Sequence, residues 1–200
     1  MPRFGRFVRV ITAAMALAAI VTATVVAVAV VGSAPSLAAP ATGAAPAADS
    51  GVQHVCSLSP LVILAGGFEL TCESVIHDDL SWGSSALWLH TAVGGDWLNA
   101  GGGAILLRWY PAQQAPAGVY AGAAFTFLFL NGVTTDRYGY AYPVGGPMFA
   151  TGAEAGYQWI GKRGIAVNLG AGVQFASAVL NGVSVSAVSP GLALRIGFAW

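Results

Sequence analysis

Leu192-Ala193-Leu194-Arg195-Ile196-Gly197-Phe198-Ala199-Trp200 is the last stretch of the sequence. Along an extended strand, successive side chains point to opposite faces. One face here reads Leu192, Leu194, Ile196, Phe198 and Trp200, and the other reads Ala193, Arg195, Gly197 and Ala199. A strand that is bulky and apolar on one side, and small or charged on the other, lies between two different solvents. A soluble sandwich shares that alternation, so the decision falls to the rest of the chain.

Composition narrows the choice. The chain has 200 residues, of which 56% are hydrophobic and 8% charged, whereas ordinary soluble domains carry roughly 25% charged residues. So few charges do not cover a soluble surface of this size. Beyond the N-terminal region there is no apolar run of the roughly 18 residues that a spanning helix needs. Only helices and closed barrels satisfy their backbone in lipid, which leaves a barrel. The formal net charge is zero and the body of the chain holds no basic cluster, which argues against nucleic acid as a partner.

The N-terminus reads as an export signal. Arg3, Arg6 and Arg9 precede the apolar residues 10–31, and Gly32-Ser33-Ala34-Pro35-Ser36-Leu37-Ala38 follows. This pattern predicts a signal peptide over residues 1–38, cleaved after Ala38; an uncleaved anchor is the rival, because the apolar run is long enough to span. No Cys follows the run, so lipoprotein processing is not indicated. Residues 39–51 are rich in Ala and Pro and read as a flexible linker. Residues 52–200 then form one domain, a length that suits eight strands of about ten residues with their turns.

Seven strands are predicted at 60–73, 84–93, 98–110, 119–130, 148–160, 165–180 and 183–200. Turns fall at 75–80, at Gly94-Gly95-Asp96-Trp97, at 111–116, at Gly161-Lys162-Arg163-Gly164 and at Asn181-Gly182. Residues 131–146 form the longest polar stretch. Bacterial single-chain barrels carry an even number of strands, so an eighth is placed at 52–58. The bulky face of each strand carries no charge. In 165–180, Ile165, Val167, Leu169, Val173 and Phe175 oppose Asn168, Gly170, Gly172 and Gln174. Glu69, Glu73, Arg108, Glu154 and Arg195 all fall on the opposite, smaller face. A basic residue on a lipid face costs about 2 to 4 kcal/mol at mid-membrane, which explains the segregation. Two hairpins, 103–133 and 156–183, repeat one pattern, each ending in Leu-Asn-Gly-Val.

Several motifs together carry a family resemblance. They are Ser59-Pro60-Leu61 followed by 66–73, Leu107-Arg108-Trp109-Tyr110-Pro111, Ala115-Pro116-Ala117-Gly118-Val119-Tyr120-Ala121-Gly122, Glu154-Ala155-Gly156-Tyr157-Gln158-Trp159, and 190–200. With the terminal aromatic, they make the chain resemble small bacterial outer-membrane β-barrel proteins, an uncharacterised group among them. The resemblance spans about three quarters of the chain. It implies an antiparallel up-and-down transmembrane barrel in the bacterial outer membrane, with outer-membrane lipid around it. It also implies a C-terminal insertion signal for the barrel-assembly machinery in Leu194, Ile196, Phe198 and Trp200. It brings no enzymatic activity and no cofactor.

The functional expectation is a structural or surface-interaction role. A narrow pore and a barrel-embedded lipid enzyme are the alternatives. Glu69, Glu73, Arg108, Glu154 and Arg195 read first as a charge-paired plug of a narrow lumen, and second as an ion path. Asp136, Arg137, Tyr138, Tyr140 and Tyr142 read as a loop surface for an unknown ligand, or as an interfacial aromatic girdle. Cys56 and Cys72, the only cysteines, pair if the chain doubles back near Leu64; Cys72 on the lipid face argues against it, and the sequence leaves both readings open. His54, His77 and His90 form no metal motif. The most catalytic set that can be assembled is His90 with Ser84, Ser85 or Glu69, or His77-Asp78-Asp79 beside Ser74 or Ser81. Gly101-Gly102-Gly103 lies within a strand with no helix or Lys after it, so it is not a phosphate loop.

Overall fold

A computed structural model describes residues 51–93, 96–111, 115–135 and 138–200. The expected signal peptide at 1–38 and all of the expected linker at 39–51 but Gly51 lie outside the described residues, as do Asp136 and Arg137. Eight strands follow one another: β1 (His54–Leu58), β2 (Gly67–His77), β3 (Leu80–Val93), β4 (Asp96–Trp109), β5 (Gly118–Thr135), β6 (Ala141–Ile160), β7 (Ile165–Leu180) and β8 (Val183–Ala199). A short helix, α1 (Pro60–Leu64), joins β1 to β2. Each strand pairs antiparallel with the next, and β1 pairs with β8, so the sheet closes on itself as a ring. Trp200 helps to seal this seam: its N–H donates to His54 O at 3.0 Å, and its own carbonyl accepts from Gln53 N and His54 N, both at 3.0 Å.

Face assignment follows the alternation. Phe125, Phe129, Leu169, Phe175, Ile196 and Phe198 are exposed on the outside of the ring, while Glu73, Arg108, Tyr120, Gln158 and Asn168 are buried inside it. The Ala and Gly residues of β5 to β7 keep the inner face small enough for these long polar side chains to fill a narrow ring.

Several features differ from expectation. The turn expected at 75–80 narrows to Asp78 and Asp79, and Asp96 and Trp97, expected in a turn, open β4 because they pair with Val93 and Ala92 of β3. Residues 60–73 are not one strand. Ser59 caps a helical turn, its Oγ accepting from Val62 N at 3.5 Å, and Pro60 takes the first helical position, where its missing N–H costs nothing. Gly66, at φ +87°, then turns the chain back into β2. β3 begins at Leu80 rather than 84, which places Ser81 inside. Leu87 and Leu89 share its inner face, and Trp82 and Trp88 face outward. The polar stretch 131–146 is mostly strand: Asn131 pairs with Gly145 and Thr135 with Ala141. Finally, the two Leu-Asn-Gly-Val segments differ. Leu180 to Val183 is a tight hairpin turn, with Asn181 and Gly182 at φ 50° and 82°, whereas Leu130 to Val133 runs straight through β5.

Candidate functional site

The five inner-face charges converge although they stand on four strands that are not neighbours. Glu69 and Glu73 lie on β2, Arg108 on β4, Glu154 on β6 and Arg195 on β8. Arg108 sits at the centre with 2% of its side chain exposed, and its Nη1 donates to Glu73 Oε2 at 2.6 Å. Its Nε and Nη2 both donate to Glu154 Oε1, at 2.9 and 2.8 Å. The Tyr120 ring lies 4.5 Å from its Cζ, adding a cation–π contact.

The remaining acceptors are satisfied. Glu73 Oε1 accepts from Tyr110 Oη at 2.6 Å and from Ser81 Oγ. Gln158 Nε2 donates to Pro116 O at 2.8 Å, tying the network to the connection before β5. Asn168 Nδ2 donates to Gln158 Oε1 at 3.0 Å, and Tyr120 Oη donates to Asn168 Oδ1 at 3.1 Å. Tyr120 fits because Gly156 and Gly170 lack side chains: a Cβ on Gly170 would lie 2.5 Å from its hydroxyl. Arg195 completes the set. Its Nε and Nη2 donate to Glu69 Oε1 at 3.3 Å, and its Nη1 lies 3.8 Å from Glu154 Oε2. Glu154 thus links the two arginines.

This is the arrangement that burial demands, because an uncompensated charge inside the ring is far more costly than a paired one. The sequence pattern located the five charges. It gave no contact between them, and it left Ser81 between the turn at 75–80 and the strand at 84–93. Extending the period of two back from Leu89 through Leu87, Ser85 and Gly83 puts Ser81 on their face, and the structure turns that face inward.

The other candidates sit elsewhere. Cys56 and Cys72 face each other across β1 and β2 and are bonded, with Sγ–Sγ 2.01 Å. Tyr138 and Tyr140 are exposed in the connection between β5 and β6, and Tyr142 lies in β6 opposite Thr134. Leu194, Ile196, Phe198 and Trp200 share the outer face of the closing strand, with Leu194 half-buried.

The catalytic sets do not assemble. His90 is on the outer face with its Nδ1 2.6 Å from Asn99 Oδ1, while Glu69 is inside, bonded to Thr71 and Arg195. Ser74 bonds His54 and Ser81 bonds Glu73, so neither serves His77. His77 pairs instead with Asp79 at 2.9 Å, and this bond holds the Asp79 carboxyl, in the turn, below its ordinary value. Among the described residues, no three His, Cys, Asp or Glu side chains are grouped to hold a metal ion.

Set beside known proteins, the chain matches no family model, no curated protein and no solved structure.

Proposed function

We propose that the protein is an integral outer-membrane β-barrel protein of structural or surface-interaction role, its lumen plugged by a charge network. One observation carries this reading: the closed sheet is inverted relative to a soluble protein. Every described charge in the body of the strands, from Glu69 to Arg195, points inward, while Ile105, Phe125, Val173 and Phe198 face out at 48 to 61% exposure. Such an apolar exterior in water would be a large association-prone patch; in lipid it is the favourable arrangement. The resemblance of the closing strand to those of outer-membrane proteins, and the export signal, agree with it. Trp82, Trp109, Trp159 and Trp200, exposed toward the end that carries the C-terminus, suit an interfacial girdle. Tyr138 and Tyr140 at the other end offer aromatic surface to a partner.

The test is membrane fractionation with heat-modifiability on a gel. A folded barrel sediments with the outer membrane and changes mobility only on boiling. A processed chain that stays soluble, with no change of mobility on boiling, would overturn the proposal.

A further inference from the structure

The interior has two halves. The charge network fills the end nearest Trp200. Toward α1, the space is walled by Leu106, Leu128, Ala150 and Ala176 and covered by Leu61 and Val62, and it holds a cavity of about 430 Å³. Glu69, Glu154 and Arg195 form its floor. Ligand pockets run from about 300 to 1,000 Å³, so the space is of ligand size.

The wall of this half is open on one side. β1 covers β8 only where residues 55–58 pair with residues 196–199. From Val183 to Arg195, β8 pairs with β7 alone. α1 touches both β2 and β8, and no described strand pairs with the remaining free edge. The cavity therefore passes around that edge: its lining includes the inward Ala187 and Ser189 and also the outward Pro190 and Leu192. Pro190 has no N–H to leave unpaired, as suits a free edge. A Cβ on Gly191 would meet nothing within 4 Å. The mouth opens in the apolar exterior, flanked by Phe175, Val188 and Leu192 at 50, 68 and 42% exposure.

Resting on the outer-membrane reading, we propose that this cavity takes a single ester-linked acyl chain of a surrounding membrane lipid, entering sideways past the free edge of β8. The walls match the chain's chemistry, and the mouth faces the medium that supplies it. The floor favours a neutral, esterified chain over a free carboxylate, because the network carries three carboxylates (Glu69, Glu73, Glu154) against two guanidinium groups (Arg108, Arg195). Arg195 Nη1, buried without a hydrogen-bond partner among the described residues, leaves one donor there for an ester carbonyl.

The test uses the full-length protein in phosphatidylcholine vesicles doped with a phosphatidylcholine bearing a diazirine on one acyl chain. Adducts are mapped by peptide mass spectrometry after photolysis. The expected result is labelling of inward residues such as Leu128 and Met148 as well as outward ones. Ala150→Trp and Ala187→Trp, each checked for the heat-dependent mobility change, should each cut inward labelling about tenfold by occupying the chain's place, with outward labelling unchanged. Wild-type adducts confined to outward residues, or inward labelling that survives both variants, would overturn the acyl-chain site alone. A wild-type chain that neither labels anywhere nor changes mobility on boiling would overturn the outer-membrane reading beneath it.

Discussion

Arg108 Nη1 lies 2.6 Å from Glu73 Oε2, on strands separated by β3, so the ion pair crosses the interior of the ring instead of running along its wall. Both side chains are 2% exposed. Taking two charges out of water is repaid only when each keeps its partners, and here Ser81, Tyr110, Gln158 and Glu154 complete the set. Removing one partner and removing both then have different consequences.

Arg108→Met leaves Glu73 in the interior without a cation and Glu154 with only the 3.8 Å contact to Arg195. It should cost about 3 to 5 kcal/mol in urea unfolding from vesicles. Adding Glu73→Gln to that variant should recover part of the loss, because the double variant buries one fewer unpaired carboxylate. Additive losses would show that the pair is not coupled.

Val173 and Gln174 are adjacent in β7 but face opposite ways, Val173 outward and Gln174 onto the cavity. Val173→Arg should destabilise the vesicle-embedded protein by about 2 to 4 kcal/mol. Gln174→Arg should cost clearly less, since its side chain reaches the polar side. Equal losses would contradict the assigned faces.

The bond between Cys56 and Cys72 closes a segment of 16 residues that contains α1. Unreduced protein should take up no thiol-alkylating reagent. The double Cys→Ser variant should lose about 3 kcal/mol, chiefly because its unfolded chain is freer. β1, held to β8 over only a few residues, should be the first strand whose amides exchange after reduction.

Gly170→Ala places a methyl group against the Tyr120 hydroxyl and should disturb the bond from Tyr120 to Asn168. A loss of about 1 to 3 kcal/mol is expected from overpacking. Gly182→Ala meets no neighbouring atom and should cost less, limited to the strain of its positive φ. The same unfolding titration compares the two.

The charge network also bears on conduction. With Arg108, Tyr110 and Tyr120 filling the ring at the end nearest Trp200, purified protein in a planar bilayer should show no discrete conductance steps. Steps in the wild type that vanish in Glu154→Gln would favour the pore reading.

Much of this was legible along the strands and little of it across them. β7 was bounded at residues 165–180 by its period of two and by the Asn-Gly after it, because pleating makes alternation a local property. The limits of local reading show in Leu-Asn-Gly-Val. At Leu180 the segment turns, because β7 must return beside β8 and Asn181 bridges to Pro143 and Gly145. At Leu130 the identical residues stay extended, because β6 pairs with them as far as Thr135. The helix at Pro60 is hidden for a related reason: Pro60-Leu61-Val62-Ile63-Leu64 is an unbroken apolar run too short to show a helical period, and it joins the alternating residues after Gly66, so that Ser59 and Pro60 are the only local signs of a helical turn.

By itself, the sequence determined which side chains share a face, since the backbone of a strand alternates whatever surrounds it. It therefore determined that five charges would sit together on the small side, with Tyr110 and Tyr120, and that Phe125, Phe129, Phe175 and Phe198 would sit on the large side. Only the tertiary structure decided which of those charges touch, that Glu154 serves both arginines, and that β1 falls short of β8 and leaves a free edge. Those facts depend on how far each strand is shifted against the next around the closed ring, and that sum of shifts is written in no single segment.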